Sequence, residues 1–113
     1  MRALSIRQPY AEQILRGVKT IEYRSRPTRI IGERFYIYAS RGKGLGIRDQ
    51  GSAVIADTDA LPRGVIVGTA VISHCTNGGT GPFAYEWHLT DVRRLPKPRK
   101  PKGRPQPVWF KPF

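Results

Sequence analysis

The sequence has little cysteine, little negative charge and no long apolar run. Its single cysteine, Cys75, excludes an internal disulfide framework. No apolar stretch approaches the roughly 20 residues that a membrane span needs, and the N-terminus lacks the apolar core of a signal peptide. These absences predict a reducing, cytoplasmic location and argue against a membrane partner.

The shortage of negative charge points to a class of partner. Eight acidic residues stand against 20 lysines and arginines, which gives a formal net charge of +12 over 113 residues. An excess of this size bears on partners and solubility rather than on fold, and it favours a polyanion. Because the chain shows no basic amphipathic helix of the membrane-surface kind, we expect nucleic acid. The length fits one domain, 1–113, with one core.

Hydrophobic periodicity predicts several strands and one clear helix. Pro9 suits the first position of a helix that continues to Arg16, and a second, short helix is predicted near 52–57. Alternating or continuously apolar segments predict strands over 2–7, 34–40, 64–73, 85–93 and 107–110. The helix is expected to bury Ala11, Ile14 and Leu15 and to expose Glu12, Gln13 and Arg16.

Particular side chains on these strands are candidates for function. Tyr36 and Tyr38 share one face of their strand; we expect Tyr36 to pack in the core and Tyr38, near the strand end beside Ser40, to be open enough to stack on a base. Gly68 interrupts an apolar strand and predicts a bend or bulge. Trp87 is expected in the core, and Glu86 is the best second carboxylate for a site.

The segment from Gly17 to Arg24 joins the helix to the next strand and gathers charge. Gly17 predicts the helix end, because glycine tolerates the left-handed conformation found there. Glu22 and Arg24 have the same parity in a strand and share a face, whereas Lys19 can join them only from the turn. Two cations and one carboxylate suit a phosphate or a base edge. The alternative is an ion pair that positions the helix.

These residues also carry a family resemblance. Leu4-Ser-Ile-Arg-Gln-Pro-Tyr-Ala11, followed by Gly17-x-Lys19-x-x-Glu22-x-Arg24, resembles the ASCH family within the PUA-like superfamily. The resemblance implies an α/β (α+β) fold: a small, mainly antiparallel β-barrel with one principal flanking helix and short extra helices. It also implies a basic cleft lined by the GxKxxExR motif and used on RNA, a nucleotide or a nucleoside.

We therefore predict an RNA-binding module in which Lys19 and Arg24 contact RNA and Glu22 orients them. Arg7 and Gln8 precede the helix and, with the free amides of its first turn, are expected to face a bound anion or base. The full set of predicted RNA-contacting residues is Arg7, Gln8, Lys19, Glu22, Arg24, Tyr38, Ser40, Lys43, Lys97, Arg99, Lys100 and Lys102.

The alternative function is a hydrolase, either a ribonuclease or an enzyme acting on a modified nucleoside. One branch of the family removes the acetyl group of N4-acetylcytidine with a lysine, a threonine and a glutamate. Lys19 matches that lysine, but Glu22 stands where the threonine is expected. Thr20 lies one residue after the lysine. The catalytic candidates under this alternative are Lys19, Thr20 and Glu22, with Glu86 as a further carboxylate.

The segment 93–107 is basic and rich in proline. Seven of the twelve residues from Arg93 to Arg104 are lysine or arginine, and the interspersed prolines predict an extended, solvated chain. It is either an arm that tracks phosphates or a loop between two barrel strands. If it is an arm, neutralising Lys97, Arg99, Lys100 and Lys102 is expected to flatten the salt dependence of RNA binding.

Neither a metal nor a cofactor is predicted. His74, Cys75 and His88 lack the paired, tight spacing of zinc ligands. The glycine-rich segment Arg41-Gly-Lys-Gly-Leu-Gly46 lacks the GxxxxGK pattern of a P-loop. We interpret it as a loop that contacts phosphate at most.

Overall fold

Six strands and one helix make up the part of the chain that the structure describes. The computed structural model describes residues 1–43 and 60–113, without the side chain of Lys43; the helix predicted at 52–57 and residues 44–46 of the glycine-rich loop lie outside these ranges. No helix in the described ranges is long and apolar enough to cross a membrane. The elements are β1 (Ala3–Gln8), α1 (Tyr10–Leu15), β2 (Ile21–Arg24), β3 (Arg34–Lys43), β4 (Val65–Asn77), β5 (Tyr85–Arg99) and β6 (Trp109–Phe110).

The strands form one mixed sheet in the order β2-β5-β4-β3-β1-β6. β1 and β3 run parallel, and every other neighbouring pair is antiparallel. The sheet curls into a half-barrel, and α1 contacts β1, β3 and β5. The predicted small, mainly antiparallel barrel with a principal helix is therefore confirmed. Its open side lies between β2, at one edge of the sheet, and the second half of β1, because β6 pairs only with Ala3 and Leu4.

Alternation along β3 places side chains on both faces of the sheet, as predicted. Phe35, Ile37 and Ala39 are fully buried in the main core beneath α1. On the opposite face Tyr38 is only 4% exposed and meets Phe110 edge to face at 5.2 Å. The expectation that Tyr38 is open was wrong, because β6 brings Phe110 across that face and builds a second small core there.

Gly68 is the point at which β4 bends, which confirms the predicted bulge. The pairing of β4 with both neighbours shifts register between Ile66 and Gly68. A Cβ at this position would lie 2.5 Å from Leu15 Cδ2 and 2.6 Å from the Arg93 carbonyl oxygen. Only glycine lets the helix end and β5 approach β4 this closely.

The helix is shorter and more buried than predicted. It ends at Leu15, and Gly17, which follows the C-cap residue Arg16, has the expected positive φ of 78°. Glu12 and Gln13, expected on the outside, are 5% and 6% exposed. Glu12 accepts hydrogen bonds from Arg16 at 2.7 Å and from both terminal nitrogens of Arg94 at 2.8 and 3.0 Å. An arginine from β5 thus compensates a carboxylate that helical periodicity alone assigned to solvent.

The carboxyl group of Glu12 gives stability a defined pH dependence. Hydrogen bonds from Arg94, reinforced by Arg16, lower the pKa of Glu12 below 4.5 against the opposing effect of burial. A lowered pKa means that the ionised form stabilises the fold, fully above about pH 4.5 and less as pH falls through the folded-state pKa. Glu12→Gln is therefore expected to cost about 1–2 kcal/mol at neutral pH, since Arg94 is half exposed and water screens it.

Urea denaturation of wild type and Glu12→Gln at neutral pH and at about pH 3 measures the contribution of ionised Glu12 to the free energy of unfolding. The difference between the two proteins is expected to shrink at the lower pH. Glu33→Gln is the control, because Glu33 pairs with Arg2 at the surface. A difference that stayed constant between the two pH values would contradict the assignment.

β5 runs further than predicted, to Arg99 rather than Arg93, so Lys97 and Arg99 lie on a strand and not in a loop. Pro96 and Pro98 are tolerated because β2 pairs with β5 only from Tyr85 to His88, which leaves one edge of the later part of β5 without a strand partner. Residues 100–108 then connect β5 to β6. The basic segment is a strand followed by a loop, and its side chains are largely exposed, as predicted.

Candidate nucleic-acid interface

A cavity of about 1140 Å³ lies at the open side of the half-barrel. β1, β2 and β3 line it, together with the loop 100–108 and the turn before β5. Its volume slightly exceeds the usual range for small-ligand sites, about 300–1,000 Å³. We call this space the main cavity.

The parallel pairing of β1 and β3 places polar side chains side by side in the main cavity. Ser5 pairs with Tyr38, and Arg7 pairs with Ser40. Partners in register point to the same face of a sheet, and all four residues line the cavity. The predicted positions of Arg7 and Ser40 are thereby brought together. Tyr38 also lines the cavity, but its ring is packed rather than open.

Glu22 and Arg24 share a face of β2, as their parity predicts. Arg24 donates from Nε to Glu22 Oε2 at 2.8 Å, and its Nη2 lies 2.7 Å from the same oxygen. Arg24 Nη2 also donates to the Ser5 carbonyl at 3.0 Å, and the guanidinium lies 5.4 Å from the Trp87 ring centre. Arg24 thus connects β2 to β1 across the open side of the half-barrel, so it supports the cavity wall.

Lys19 approaches Glu22 from the turn after α1. Its Nζ lies 3.6 Å from Glu22 Oε1 and donates to the Ile21 carbonyl at 2.7 Å. The ammonium is also 5.6 Å from the ring centre of Tyr10 and 5.2 Å from that of Tyr23. Two amides of the turn, at Val18 and Lys19, donate to the Gln13 carbonyl and fix its path. The ammonium is therefore held at the cavity wall.

The main cavity is strongly basic. Among the described residues it is lined by six cationic side chains and one carboxylate, Glu22. Lys19 and Arg24 already neutralise Glu22. None of the other four cations forms an ion pair with an acidic residue in the ranges 1–43 and 60–113. These four, which we call the free cations, are Arg7, Arg41, Lys100 and Arg104.

The structure separates the predicted tail residues. Lys100 lines the main cavity, whereas Lys97, Arg99 and Lys102 are exposed outside it. The amides of Lys102 and Gly103 both donate to the Pro112 carbonyl at 2.7 Å, which folds the loop back on the C-terminus. Ser5 Oγ donates to the Gln106 carbonyl at 2.6 Å, so the loop is also attached to β1. It forms one wall of the cavity.

Three other predicted site residues do not reach the cavity. Gln8 is 1% exposed; its Nε2 donates to the Pro62 carbonyl, and its Oε1 accepts from the Glu12 amide, so it caps the helix instead of facing a ligand. The Thr20 side chain is exposed away from the lining. Glu86 binds the Thr76 hydroxyl on the β4–β5 surface. The side chain of Lys43 lies outside the described part of the chain.

Five aromatic or cationic residues in the described lining were not among the predicted site residues: Tyr10, Tyr23, Arg41, Phe83 and Arg104. Strand alternation places Tyr23 on the face opposite Glu22. Tyr23 nevertheless lines the cavity, because β2 is the edge strand of the sheet. Phe83 follows a glycine-rich turn, and an exposed aromatic residue in such a turn can indicate a binding site. Arg41 and Arg104 belong to basic segments that the sequence analysis identified. Arg41 reaches the cavity because β3 continues to Lys43, and Arg104 reaches it through the path of the loop 100–108.

His74 and His88 stack face to face, with ring centres 4.0 Å apart and an interplanar angle of 9°. Thr76 Oγ1 lies 2.8 Å from His88 Nε2. In residues 1–43 and 60–113, no group of three or more histidine, cysteine, aspartate or glutamate side chains is arranged to hold a metal ion.

The sequence model of the ASCH domain matches residues 4–99. The chain belongs to the ASCH domain family. A search of curated proteins finds no match. The fold resembles the crystal structure of ASCH from Zymomonas mobilis, with 18% identity and a TM-score of 0.61 over 88% of this chain and 72% of that one. The family match spans the GxKxxExR motif and most of the main cavity lining.

The N4-acetylcytidine deacetylase alternative needs a threonine hydroxyl beside Lys19 and Glu22. In the described ranges, the Lys19 side chain donates to the Ile21 carbonyl, and the Glu22 side chain accepts from Arg24. No serine, threonine or tyrosine hydroxyl bonds to either residue in those ranges. The arrangement is an ion-pair network at the wall of an open basic cavity, a geometry suited to binding an anion.

Proposed function

We propose that this ASCH domain is an RNA-binding module that holds RNA or a nucleotide in the main cavity. The observation that carries the proposal is the charge of the lining: four free cations remain after Glu22 is neutralised. Unpaired guanidinium and ammonium groups bind phosphate oxygens, and Arg does so in a bidentate manner. The single cysteine and the RNA partner are consistent with action in the cytoplasm.

The functional assignment of the motif follows from this geometry. Arg24 and Glu22 position the wall, and Lys19 presents its ammonium to the ligand. The free cations bind the phosphates, with Arg7 and Arg41 at the ends of β1 and β3 and Lys100 and Arg104 on the loop. A binding module of this kind requires no nucleophile. The position of Thr20 outside the cavity lining argues against the deacetylase form of the hydrolase alternative.

The test compares two double variants that each remove two positive charges. Lys100→Gln with Arg104→Gln removes charge from the main cavity, and Lys97→Gln with Lys102→Gln removes it from outside. We expect the first pair to lower the slope of log affinity against log salt by about 1.4, since each phosphate contact of a single strand contributes about 0.7. The second pair should leave the slope nearly unchanged.

Fluorescence anisotropy with a labelled single-stranded RNA, titrated over a series of salt concentrations, gives both slopes. Equal slopes for the two double variants would mean that RNA follows the whole basic surface and not the main cavity. The absence of RNA binding by the wild type at low salt would overturn the proposed function.

A further inference from the structure

We propose that the main cavity selects single-stranded RNA by stacking an unpaired base on Tyr23 and Phe83 at its mouth. This inference rests on the proposed function and extends it, because it names the form of RNA and the two side chains that recognise it. The resemblance of the motif to its family implies nothing about these two positions.

Among the described aromatic residues that line the main cavity, Tyr23 and Phe83 are the two whose side chains are exposed. Tyr23 is 50% exposed and Phe83 is 63% exposed, and both line the main cavity. Neither takes part in a ring pair in the described ranges, whereas the tryptophans and most other aromatic residues do. The aromatic residues found in such pairs are Phe35, Tyr36, Tyr38, His74, Trp87, His88, Trp109, Phe110 and Phe113.

The pairing of β2 with β5 brings the two rings to one side of the cavity. Tyr23 pairs with Glu86, and Arg24 pairs with Tyr85. Phe83 stands two residues before Tyr85 in the turn between β4 and β5, so it lies beyond the end of β2. Tyr23 and Phe83 therefore both lie on the side of the main cavity that β2 and the start of β5 form.

Lys19 forms a cation–π contact with the Tyr23 ring. Its ammonium lies over the Tyr23 ring at 5.2 Å, so one face of the ring is occupied by a cation. The other face remains available to a base. An aromatic ring binds a base face with little preference for sequence, and the phenol oxygen takes no part in stacking, so Tyr23→Phe should preserve the contact.

Charge on the facing walls supplies the other half of the recognition. The free cations come from β1, β3 and the loop 100–108, whereas Tyr23 and Phe83 come from the β2 edge. A nucleotide with its base on the aromatic edge can therefore direct its phosphate toward cations. Bases in a duplex are stacked inside the helix and present no free face, so this arrangement favours unpaired RNA.

The experiment measures binding of three RNAs of one length by anisotropy: a single strand, the same strand with abasic positions, and its duplex. The wild type should bind the intact single strand about tenfold more tightly than the other two. Phe83→Ala and Tyr23→Ala should each lose about tenfold on the intact strand and little on the abasic strand. Tyr23→Phe should match the wild type.

Phe113→Ala is the matched control, because Phe113 is an aromatic residue of comparable exposure, 47%, that does not line the main cavity. Thermal melts of all variants check that folding is intact. If Phe83→Ala and Tyr23→Ala both bind the intact strand as the wild type does, or if the duplex binds equally well, the stacking inference is overturned while the proposed function stands. If the wild type binds none of the RNAs, both are overturned.

Discussion

Glu22→Ala is expected to lower the free energy of unfolding by about 3–5 kcal/mol, the usual cost of removing one partner from a buried ion pair. The Glu22 side chain is 11% exposed, and those of Lys19 and Arg24 are 17% and 19% exposed. Removing the carboxylate leaves two cations facing each other with little water to screen them. The loss should exceed that of any other single charge in the motif.

Glu22→Ala should also weaken RNA binding, because Arg24 holds the cavity open in the observed shape. Arg24 donates to Glu22 and to the Ser5 carbonyl at the same time, so we expect the contact with Ser5 to weaken when the carboxylate that orients the guanidinium is removed. Glu22→Gln keeps the shape and one acceptor oxygen but removes the charge, so we expect a smaller loss of stability. The difference between the two variants measures the ionic part of the interaction.

Urea denaturation of the two variants, with Glu33→Ala as the control, tests this prediction. Glu33 pairs with Arg2 at 3.1 Å, but about half of each side chain is exposed. A pair of this kind contributes about 0–1 kcal/mol. If Glu22→Ala cost no more than Glu33→Ala, Glu22 would not hold the wall together.

The local features of the fold could be predicted because neighbouring residues determine them. The alternation along β3, the helix stop at Gly17 and the shared face of Glu22 and Arg24 depend on parity and on the conformational freedom of glycine. The bulge at Gly68 was likewise predicted from the glycine itself. These predictions required no knowledge of which strands pair.

The features that were mispredicted depend on partners far away in the sequence. Glu12 is buried because Arg94, 82 residues later, reaches it. Gln8 turns inward because the Pro62 carbonyl is there to accept from it. Tyr38 is covered by Phe110. Helical or strand periodicity assigns a face to each of these residues, but only the tertiary contact decides what lies on that face.

Only part of the main cavity could be predicted, because its other residues are brought together by contacts between distant parts of the chain. The motif predicted the lining residues on β2, and Arg7 and Ser40 were predicted on β1 and β3. The basic tail was identified as charged, but its division into cavity and outer residues follows from the fold-back of Lys102 and Gly103 onto Pro112. Composition identifies a basic segment, but only the path of the loop determines that Lys100 and Arg104 line the cavity.

Lys19→Ala is expected to weaken RNA binding by about 10- to 100-fold, the equivalent of losing one hydrogen bond to a charged group. Lys19 Nζ lies 3.6 Å from the Glu22 carboxylate, whereas the nearest nitrogen of Arg24 lies 2.7 Å from it. The rings of Tyr10 and Tyr23 hold the Lys19 ammonium at the cavity wall. Its ammonium can therefore turn to a phosphate or base edge. Arg24 cannot do so without releasing Ser5.

The same substitution should cost little stability, which separates recognition from scaffolding. Lys19→Ala leaves the Glu22 carboxylate paired with Arg24 at 2.7 Å, so no buried charge loses its last partner and we expect a loss well below that of Glu22→Ala. Thermal melts and a salt-controlled anisotropy titration, with the exposed Lys97→Ala as the matched control, give both quantities. If Lys19→Ala melted early yet bound RNA as the wild type does, the motif would be a structural brace, and RNA recognition would belong to the free cations alone.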